Sequence, residues 1–477
     1  MKLNKKTKIV ATLGPSCSTK ETIKAMIDSG VNVFRINFSH ADYEDVQERI
    51  DIIRELNEEF NYNTGILADL QGPKLRVGVM KDDIVVNVGD TIIFSTKEEF
   101  LGTKERVYMK YKTFPLDVNP GERLLVDDGK LIFEILETDK KTEVKAKVIQ
   151  GGPLKSKKGV NLPNTKISLP ALTEKDINDA IFAIKAKVDW MALSFVRTPQ
   201  DLEDLQKLIA EHSEHKIPII AKIEKPEAVE NINKIVAYCD ALMVARGDLG
   251  VEIPAEEVPL IQKQLIHRAK TARIPVIVAT QMMETMITSL TPTRAEVNDV
   301  ANSVMDGADA VMLSGETSVG NYPVQVIETM AKIINSVENS ELIQVPQTPP
   351  VVRTKRYITK QICYHAALMA NEIKAKAICT LTNSGYTAFQ ISAWRPNAFI
   401  LVFSSNRTIM SQLSLLWGVH SFYYDKFATT DDTIEDINDM AKNNGYVKKG
   451  DMLINLASMP IDEKGMVNTM RISEIGG

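Results

Sequence analysis

The sequence has few cysteines, no long apolar run and no excess of positive charge, and each absence excludes a class of protein. The four cysteines among 477 residues show no CxxC spacing, which favours buried, reduced thiols over a disulfide framework. No stretch reaches the roughly 18–20 apolar residues of a membrane helix, and the apolar run at 9–13 is too short for a signal peptide. A net charge of -5 argues against bulk binding to nucleic acid or an anionic membrane. We therefore expect a cytoplasmic protein with neither a nucleic-acid nor a membrane partner.

Two nucleotide-binding motifs are also missing. No Walker A sequence and no GxGxxG follows a predicted strand, so a nucleotide would have to be held by cationic side chains. What is present is ordinary for a globular protein, with 44% apolar and 25% charged residues. The length is sufficient for about two to four domains.

The first two thirds of the chain alternate short apolar strands with amphipathic helices. The strand segments are rich in β-branched and apolar residues, which is typical of parallel strands covered on both faces. They lie at 8–13, 31–37, 64–70, 189–195, 217–223, 241–245, 275–280 and 308–313. Thr173 with Asp176 and Thr293 with Glu296 are typical capping boxes at helix starts. Eight such units predict a (β/α)8 barrel over 1–72 and 170–345.

The third predicted strand is followed by a change of period. Between 73 and 169 the apolar residues alternate with period two, including a hairpin pattern around Asp128-Gly129. About a hundred residues of this kind are too many for a loop. They predict a small inserted β-barrel domain, placed as a lid over the end of the main barrel where the βα loops lie.

A second α/β pattern begins after a proline-bearing link at 345–350. Helices are predicted at 357–373 and 433–443, and strands at 377–381, 399–403 and 451–455. This pattern predicts a separate doubly wound α/β domain over 346–477.

Polar residues gather at the predicted carboxyl ends of the barrel strands, which is the functional end of this fold. In chain order they are Arg35, Asn37 and Ser39 after strand two, Asp69 after strand three, Lys222 and Glu224 after strand five, Gly247 and Asp248 after strand six, Thr280 after strand seven, and Ser314, Glu316 and Thr317 after strand eight. Each residue by itself is compatible with a structural role, as an ion-pair partner or a helix cap. Their convergence on one end of one barrel favours a catalytic site.

The residue types indicate phosphoryl chemistry. Glu224 and Asp248 supply two carboxylates from adjacent strands, which suits Mg2+ with open positions for substrate oxygens. Lys222 lies on the same strand face as Glu224 and would reach a transferring phosphoryl group. Backbone amides near Gly247 and the Thr280 hydroxyl are suited to a substrate carboxylate. Arg35, Arg76 and Lys175 are the candidate nucleotide-binding cations; the last two flank the lid.

These motifs resemble the pyruvate kinase family over nearly the whole chain. The segments that carry the resemblance are 8–15, 35–40, 222–224, 245–250, 279–282 and 312–317, and the segment around Lys222 is the most specific. The resemblance implies transfer of a phosphoryl group from phosphoenolpyruvate to ADP, giving pyruvate and ATP, in a glycolytic enzyme that is usually a homotetramer.

The resemblance also implies roles for individual residues. Glu224 and Asp248 would bind Mg2+, or Mn2+ in its place, and Lys222 would stabilise the transition state. Arg35 would contact phosphate, while Gly247, Asp248 and Thr280 would contact the substrate carboxylate. Thr280 would also lie near the enolate that receives a proton, and Arg76 and Lys175 would bind the nucleotide.

One departure concerns the monovalent cation that much of the family requires. Asn37, Ser39, Asp69 and Leu70 correspond to its pocket, but Lys74 stands where the family commonly has glutamate. An ammonium at that position would supply the charge of a bound potassium ion. We therefore expect an enzyme that does not require K+.

The second departure concerns an effector loop. Thr382, Asn383, Ser384, Gly385 and Thr387 follow a strand and open a helix, as in the family's sugar-phosphate loop. The cations common in fructose bisphosphate binders are missing from it. Two interpretations remain open: a site for a singly phosphorylated effector, or a strand–helix turn without a ligand.

Two other functions compete with the kinase assignment. A mutase or lyase acting on phosphoenolpyruvate would need Mg2+ but no ADP, and the presence of Arg76, Lys175 and a lid disfavours it. A non-catalytic effector-binding protein on an inherited barrel would be expected to have lost Lys222, Glu224, Asp248 or Thr280, and all four are present.

Overall fold

The structure is a computed structural model that describes residues 5–81, 84–163, 165–340, 356–426, 429–459 and 466–476. Three sheet-based units are present, and the first is a closed barrel of eight parallel strands. Barrel strands 1 to 8 are Lys8–Thr12, Val33–Asn37, Gly65–Asp69, Trp190–Leu193, Ile219–Ile223, Ala241–Ala245, Val276–Ala279 and Ala310–Leu313. All eight lie within the predicted segments, so the (β/α)8 prediction is confirmed.

The barrel strands form because their residues are buried on both faces. Strands 1, 3, 5 and 6 are buried along their whole length, as expected for parallel strands between a barrel interior and a layer of helices. The surrounding helices are Lys20–Ser29, Tyr43–Phe60, Glu174–Lys185, Pro199–His212, Pro226–Glu230, Ile232–Ile235, Arg246–Glu252, Val258–Ala272, Arg294–Asp306, Gly315–Ser318 and Pro323–Glu338. Short 3-10 turns lie at Pro15–Cys17, Phe38–His40, Ala255–Glu257 and Glu284–Ile287.

Both predicted capping boxes are present. Thr173 Oγ1 accepts a hydrogen bond from Asp176 N–H, and Thr293 caps Glu296 in the same way. Asp176 has a further role, because its Oδ1 accepts a hydrogen bond of 3.0 Å from Gly72 N–H. The start of the helix that follows the insertion therefore fixes the point where the chain leaves the barrel.

The inserted segment folds as a small β unit. Its strands are Val85–Val86, Thr91–Ser95, Arg106–Tyr108, Arg123–Val126, Leu131–Thr138, Glu143–Gln150, Gly152–Pro153 and Val160–Asn161, with a short helix at Phe114–Asp117. Six of them form one sheet whose edges are Val160–Asn161 and Arg106–Tyr108. Isolated bridges join Arg76 to Gly159 and Val77 to Met109 next to its two edges. The inserted β unit has its own apolar core, and its closure into a small barrel stays a prediction.

The carboxy-terminal unit is a five-stranded sheet covered on both faces. Its strands are Ala377–Leu381, Phe399–Ser404, Val419–Tyr423, Met452–Ala457 and Thr469–Glu474, and its helices are Tyr357–Glu372, Tyr386–Ala393, Arg407–Gln412 and Thr430–Asn443, with a 3-10 turn at Leu413–Leu415. Four strands are parallel and the last is antiparallel. The predicted α/β fold is confirmed, while the strands beginning at Val419 and Thr469 had not been predicted.

This unit covers the amino-terminal end of the barrel. Leu415 packs into the apolar interior formed by the barrel strands, and Trp190 Nε1 donates a hydrogen bond of 3.0 Å to the Gln412 carbonyl. A buried ion pair of 2.8 Å joins Arg395 to Asp309. The opposite, carboxyl end of the barrel is left for the inserted unit.

The sequence-based domain boundaries stay predictions. The division of the chain at 72/73 and 169/170 stays a prediction, and the link at 345–350 lies outside the described residues.

All four cysteines are buried free thiols. Within the described residues no helix is both long and apolar enough to cross a membrane.

Candidate active site

Lys222 stands at the centre of the polar residues at the carboxyl end of the barrel. It lies on barrel strand 5 and is 9% exposed. Its Nζ donates to Ser194 Oγ at 2.6 Å and lies 2.9 Å from Glu224 Oε1 and 3.2 Å from Asp69 Oδ1. Burial by itself would lower the pKa of Lys222, but the carboxylates of Asp69 and Glu224 raise it above its ordinary value. The ammonium therefore stays charged throughout the physiological pH range.

Asp69 joins Lys222 to Arg35. Arg35 Nε donates to Asp69 Oδ2 at 2.6 Å, and Arg35 Nη1 donates to Thr12 Oγ1 at 3.0 Å. Burial opposes the charged form of Asp69, but the two cations outweigh it and lower the pKa of its carboxyl group. Asp69 Oδ1 lies within ion-pair distance of Lys222 but accepts no hydrogen bond from any of the described residues. One buried carboxylate, that of Asp69, thus contacts two cations, Arg35 and Lys222.

Glu224 and Asp248 form a like-charged pair just beyond the ends of two neighbouring strands, barrel strands 5 and 6. Glu224 is 1% exposed, and its Oε2 accepts a hydrogen bond of 2.8 Å from Phe195 N–H. Burial raises the pKa of Glu224, and the nearby Asp248 carboxylate raises it further, against the opposing effects of Lys222 and the Phe195 amide. Asp248 is half-buried in the cleft between the barrel and the inserted unit.

This pair fits a divalent cation that completes its coordination with substrate oxygens. Two hard carboxylate oxygens from adjacent strands are the donors that Mg2+ prefers, and a cation between them would relieve their repulsion. Among the described residues no group of three or more His, Cys, Asp or Glu side chains is arranged around a single point. The protein therefore offers a partial ligand set, which is usual for metal ions that also bind substrate phosphate.

Gly247 and Thr280 meet beside this pair. Gly247 N–H donates to Thr280 Oγ1 at 2.7 Å, and the hydroxyl donates to the Ala279 carbonyl at 2.6 Å. A Cβ atom at Gly247 would come within 3.3 Å of Thr280 Oγ1, so glycine permits this close approach. The Gly247 amide and the Thr280 hydroxyl thus lie together at the start of the helix Arg246–Glu252.

The two candidate nucleotide-binding cations lie apart from the Lys222 cluster. Arg76 is half-buried in the inserted unit, where its Nη1 donates to the Lys157 carbonyl at 3.1 Å. Lys175 Nζ donates to Asp179 Oδ2 at 2.5 Å and to the Phe38 carbonyl at 2.7 Å, just after barrel strand 2. One side chain thus belongs to the inserted unit and the other to the barrel, on the helix Glu174–Lys185.

The predicted monovalent-cation pocket consists of Asn37, Ser39, Asp69 and Leu70, and Lys74 is the residue predicted to replace the cation. Asn37 Oδ1 accepts a hydrogen bond of 3.1 Å from Ser39 N–H, and the Leu70 carbonyl accepts one of 2.6 Å from Ser194 Oγ. Lys74 is exposed, lines the cleft with Asp248, and makes no side-chain hydrogen bond or ion pair within the described residues. The contact of its ammonium with the pocket stays a prediction.

The polar residues after barrel strand 8 have structural partners. Glu316 is 2% exposed, and its carboxylate accepts hydrogen bonds from the amides of Met283 and Ser314 at 3.1 and 2.7 Å. Thr317 Oγ1 donates to the Thr12 carbonyl at 2.8 Å. These side chains hold the loops of the barrel mouth together.

The candidate effector loop is a strand–helix turn in the carboxy-terminal unit. Thr382 Oγ1 accepts a hydrogen bond of 3.1 Å from Gly385 N–H, and Gly385 takes the positive φ of +75° that the turn requires. Asn383 and Ser384 are exposed. The Arg356 guanidinium lies 4.2 Å from the Tyr386 ring centre, so a cation from outside the loop stands beside it.

Three residues of the site were missed by the sequence analysis. Ser194 binds the Lys222 ammonium, the Phe195 amide binds Glu224, and Arg246 binds the backbone at Thr280. Ser194 and Phe195 follow barrel strand 4, so the same rule that pointed to the other strand ends would have found them. Nothing in the sequence reveals which carbonyl Arg246 would reach.

Comparison with known proteins gives one consistent answer. A model of the pyruvate kinase barrel domain matches residues 4–327, and one of the pyruvate kinase alpha/beta domain matches residues 360–473. The chain belongs to the pyruvate kinase family. It is 43% identical over 474 residues to pyruvate kinase of Corynebacterium glutamicum, covering 99% of this chain and 98% of the relative. With pyruvate kinase of Mycobacterium tuberculosis it shares 40% identity over 476 residues, covering 99% of each chain.

A solved structure supports the same family. The crystal structure of a pyruvate kinase from Cryptosporidium parvum superimposes with a TM-score of 0.91 at 33% identity, covering 99% of this chain and 96% of that one. The protein is thus a transferase of the glycolytic reaction between phosphoenolpyruvate and ADP, and its three-unit architecture is that of its family.

Proposed function

We propose that the cluster around Lys222 is the site at which phosphoenolpyruvate donates its phosphoryl group to ADP, with Mg2+ as the required metal and Mn2+ as a substitute. The observation that carries this proposal is the buried ammonium of Lys222, held within 3.2 Å of both Glu224 and Asp69. Glu224 and Asp248 would hold the metal ion, which supplies positive charge at the reacting oxygens.

The proposed transfer is a displacement at phosphorus. An oxygen of the ADP β-phosphate forms the new P–O bond, and the bond between phosphorus and the enol oxygen of phosphoenolpyruvate breaks. Lys222 and Arg35 neutralise charge on the transferring group, because both are desolvated and already held in place by Asp69. The remaining enolate then takes a proton at its methylene carbon and becomes pyruvate.

Thr280 has two proposed tasks. Together with the Gly247 amide and Asp248 it positions the substrate carboxylate, and its hydroxyl lies on the path of the proton to the enolate. The Gly247–Thr280 hydrogen bond of 2.7 Å supports this role, because it fixes the hydroxyl beside the metal-site carboxylates. Arg76, on the inserted unit, and Lys175, on the barrel, are proposed to hold ADP.

ADP dependence is the test of this function. Pyruvate release from phosphoenolpyruvate should require ADP and Mg2+, with ATP formed in equal amount. Pyruvate release without ADP would favour a mutase or lyase. If Lys222→Met abolished that ADP-independent release, the reaction would still be assigned to this site.

We also propose that turnover does not require K+. The support is the lysine at position 74 at the mouth of the cleft beside Asp248. Lys74→Glu should therefore create a K+ requirement, while Lys97→Glu, a change at an exposed lysine of the inserted unit, should not. A strict K+ requirement in the unchanged protein would contradict the proposal.

A singly phosphorylated effector is proposed for the loop at Thr382–Thr387. Its exposed Asn383 and Ser384, its glycine turn and the nearby Arg356 support a phosphate site. Titration of activity with sugar monophosphates and with AMP tests it, and an unchanged response in Ser384→Asp would contradict it. A flat titration would favour the turn without a ligand.

The proposed assembly is a homotetramer in the cytoplasm. The barrel helices Val258–Ala272 and Arg294–Asp306 carry exposed apolar side chains, with Leu260 at 64% and Met305 at 40% exposure, and such surfaces commonly lie in interfaces. Sedimentation equilibrium tests the stoichiometry, and a monomer at micromolar concentration would contradict it.

A further inference from the structure

Thr280 has a backbone conformation that β-branched residues rarely adopt. Its φ is +73°, and the next residue, Gln281, also has a positive φ of +54°. For a threonine this is a strained conformation, and such strain persists only where the surroundings hold the backbone. A specific contact must therefore keep Thr280 in place.

Arg246 makes that contact. Its Nη2 donates to the Thr280 carbonyl at 2.8 Å and also approaches Met282 Sδ at 2.9 Å. Its Nη1 donates to Gln262 Oε1 at 3.3 Å, whereas its Nε is buried and finds no hydrogen-bond partner in the part of the chain that the structure describes. The guanidinium thus holds the carbonyl of the strained residue, while the Gly247 amide holds its hydroxyl.

Asp299 fixes the orientation of this guanidinium. The two side chains form a bidentate pair, with Nη1–Oδ1 and Nη2–Oδ2 both at 2.6 Å. The Arg246 side chain is 13% exposed and that of Asp299 is 30% exposed. A planar fork held at two points has little freedom to turn, and a lysine cannot reproduce it.

Arg246 is connected to both residues that are proposed to bind the substrate carboxylate, Gly247 and Thr280. Arg246 directly precedes Gly247, whose amide binds Thr280 Oγ1 at 2.7 Å. Its side chain binds the Thr280 carbonyl at the same time. Gly247 and Thr280 are therefore held together by one residue, through backbone continuity on one side and a hydrogen bond on the other.

We propose that Arg246 and Asp299 are a positioning pair that keeps Thr280 in its left-handed conformation, so that its hydroxyl faces the substrate. The inference rests on the proposed function, since it assigns the pair its effect through Thr280. Neither side chain is required to touch the substrate.

Two conservative variants test the pair. Arg246→Lys keeps the positive charge but cannot form the bidentate pair with Asp299. Asp299→Asn keeps the shape of the side chain but loses its negative charge. Because small displacements of reacting groups cost up to about 100-fold in rate, kcat should fall roughly 10- to 100-fold. The KM for ADP should remain within about two-fold, as the contacts of Arg246 are with Gln262, Thr280, Met282 and Asp299 and not with the proposed ADP-binding cations.

A double-mutant cycle separates positioning from general damage. If Arg246 acts through Thr280, Arg246→Lys should reduce kcat by less than about two-fold when Thr280→Ala is already present. Losses that multiply would overturn the proposal, and so would a kcat of Arg246→Lys within two-fold of the unchanged enzyme.

The chain offers a control pair on the helix that carries Asp299. Lys263 and Asp306 form an ion pair between Val258–Ala272 and Arg294–Asp306. Lys263→Met and Asp306→Asn should leave kcat unchanged. An equal loss in these controls would show that the helix contact, and not the Thr280 carbonyl, is responsible, and would overturn the proposal.

A crystal structure of Arg246→Lys gives a result that does not depend on activity. The φ of Thr280 should leave the positive range and its bond to Gly247 N–H should lengthen. An unchanged Thr280 would overturn the positioning role. A changed Thr280 in a protein without ADP-dependent pyruvate formation would instead support the pair and contradict the proposed function.

Discussion

Replacing Lys222 with methionine should abolish most of the turnover while the metal still binds. The change removes the Nζ atom that lies 2.6 Å from Ser194 Oγ, 2.9 Å from Glu224 Oε1 and 3.2 Å from Asp69 Oδ1. The methionine fills a similar volume, so the effect reports on the charge. Glu224 and Asp248 remain, and with one fewer cation nearby their affinity for a divalent metal should stay equal or rise.

The magnitude follows from the burial of the ammonium. A single preorganised donor is worth about 10²–10³ in kcat, and a cation on a transferring phosphoryl group about 10³–10⁵. At 9% exposure Lys222 is little screened by water. We therefore expect kcat to fall by about 10³ or more, which corresponds to at least about 4 kcal/mol of transition-state stabilisation.

The variant should also lose stability, because Asp69 and Glu224 lose a buried counter-charge. Breaking a buried pair in this way costs about 3–5 kcal/mol. The Arg35–Asp69 ion pair at 2.6 Å remains, so we expect the loss of unfolding free energy to lie near the lower end of this range. Added Mn2+ should restore part of the loss, as it binds the freed carboxylates.

Three measurements decide this prediction. Steady-state kinetics give kcat, electron paramagnetic resonance of Mn2+ gives metal affinity, and thermal unfolding gives stability. Lys263→Met is the control, since that lysine forms only an exposed ion pair with Asp306. A kcat within ten-fold of the unchanged enzyme would refute the role of Lys222, and a large loss of Mn2+ affinity would show that it acts on the metal site instead.

Three further predictions concern the nucleotide, the pH dependence and the docking of the carboxy-terminal unit. Arg76→Ala should raise the KM for ADP about ten-fold or more with little change for phosphoenolpyruvate, as expected for a lost charge-assisted hydrogen bond; an unchanged KM for ADP in initial-rate kinetics would contradict it. Burial raises the pKa of Asp189 in the folded protein to about 6, although Arg54 lies 3.1 Å away. Because the pKa in the unfolded chain is near 4, the contribution of Asp189 to stability is complete below about pH 4 and is lost as the pH rises through about 6. Asp189→Asn should remove this pH dependence, about 3 kcal/mol in the difference between the two unfolding curves, and parallel curves would refute it. Arg395→Met leaves Asp309 buried and unpaired and should cost about 3–5 kcal/mol of unfolding free energy, whereas a loss below about 1 kcal/mol would show that the pair contributes little to docking.

The barrel was predictable because its signal is local and repeated. Apolar β-branched strands and capped helices alternate along the chain, and the capping boxes at Thr173 and Thr293 form as expected. The antiparallel strand Thr469–Glu474 was harder to predict, because three of its residues are exposed and its pairing with Met452–Ala457 is an edge contact.

The site was predictable only in part. The strand-end rule found Lys222, Glu224, Asp248 and Thr280, since chemistry in this fold gathers at the carboxyl ends of the strands. It did not reveal that Asp69 would bind both Arg35 and Lys222, because that contact joins three strands distant in sequence. The strain at Thr280 and its support by Arg246 depend on backbone angles that cannot be inferred from the residue types.

Pyruvate formation from phosphoenolpyruvate, ADP and Mg2+, measured in K+ and in tetramethylammonium with ATP quantified in parallel, tests the central claim most directly. Equal turnover in both salts, with one ATP formed for each pyruvate and loss of both products in Lys222→Met, is the predicted result. Turnover in K+ alone would retain the reaction and refute the role of Lys74. Pyruvate formed without ADP, or no pyruvate in either salt, would contradict the proposed phosphoryl transfer at Lys222.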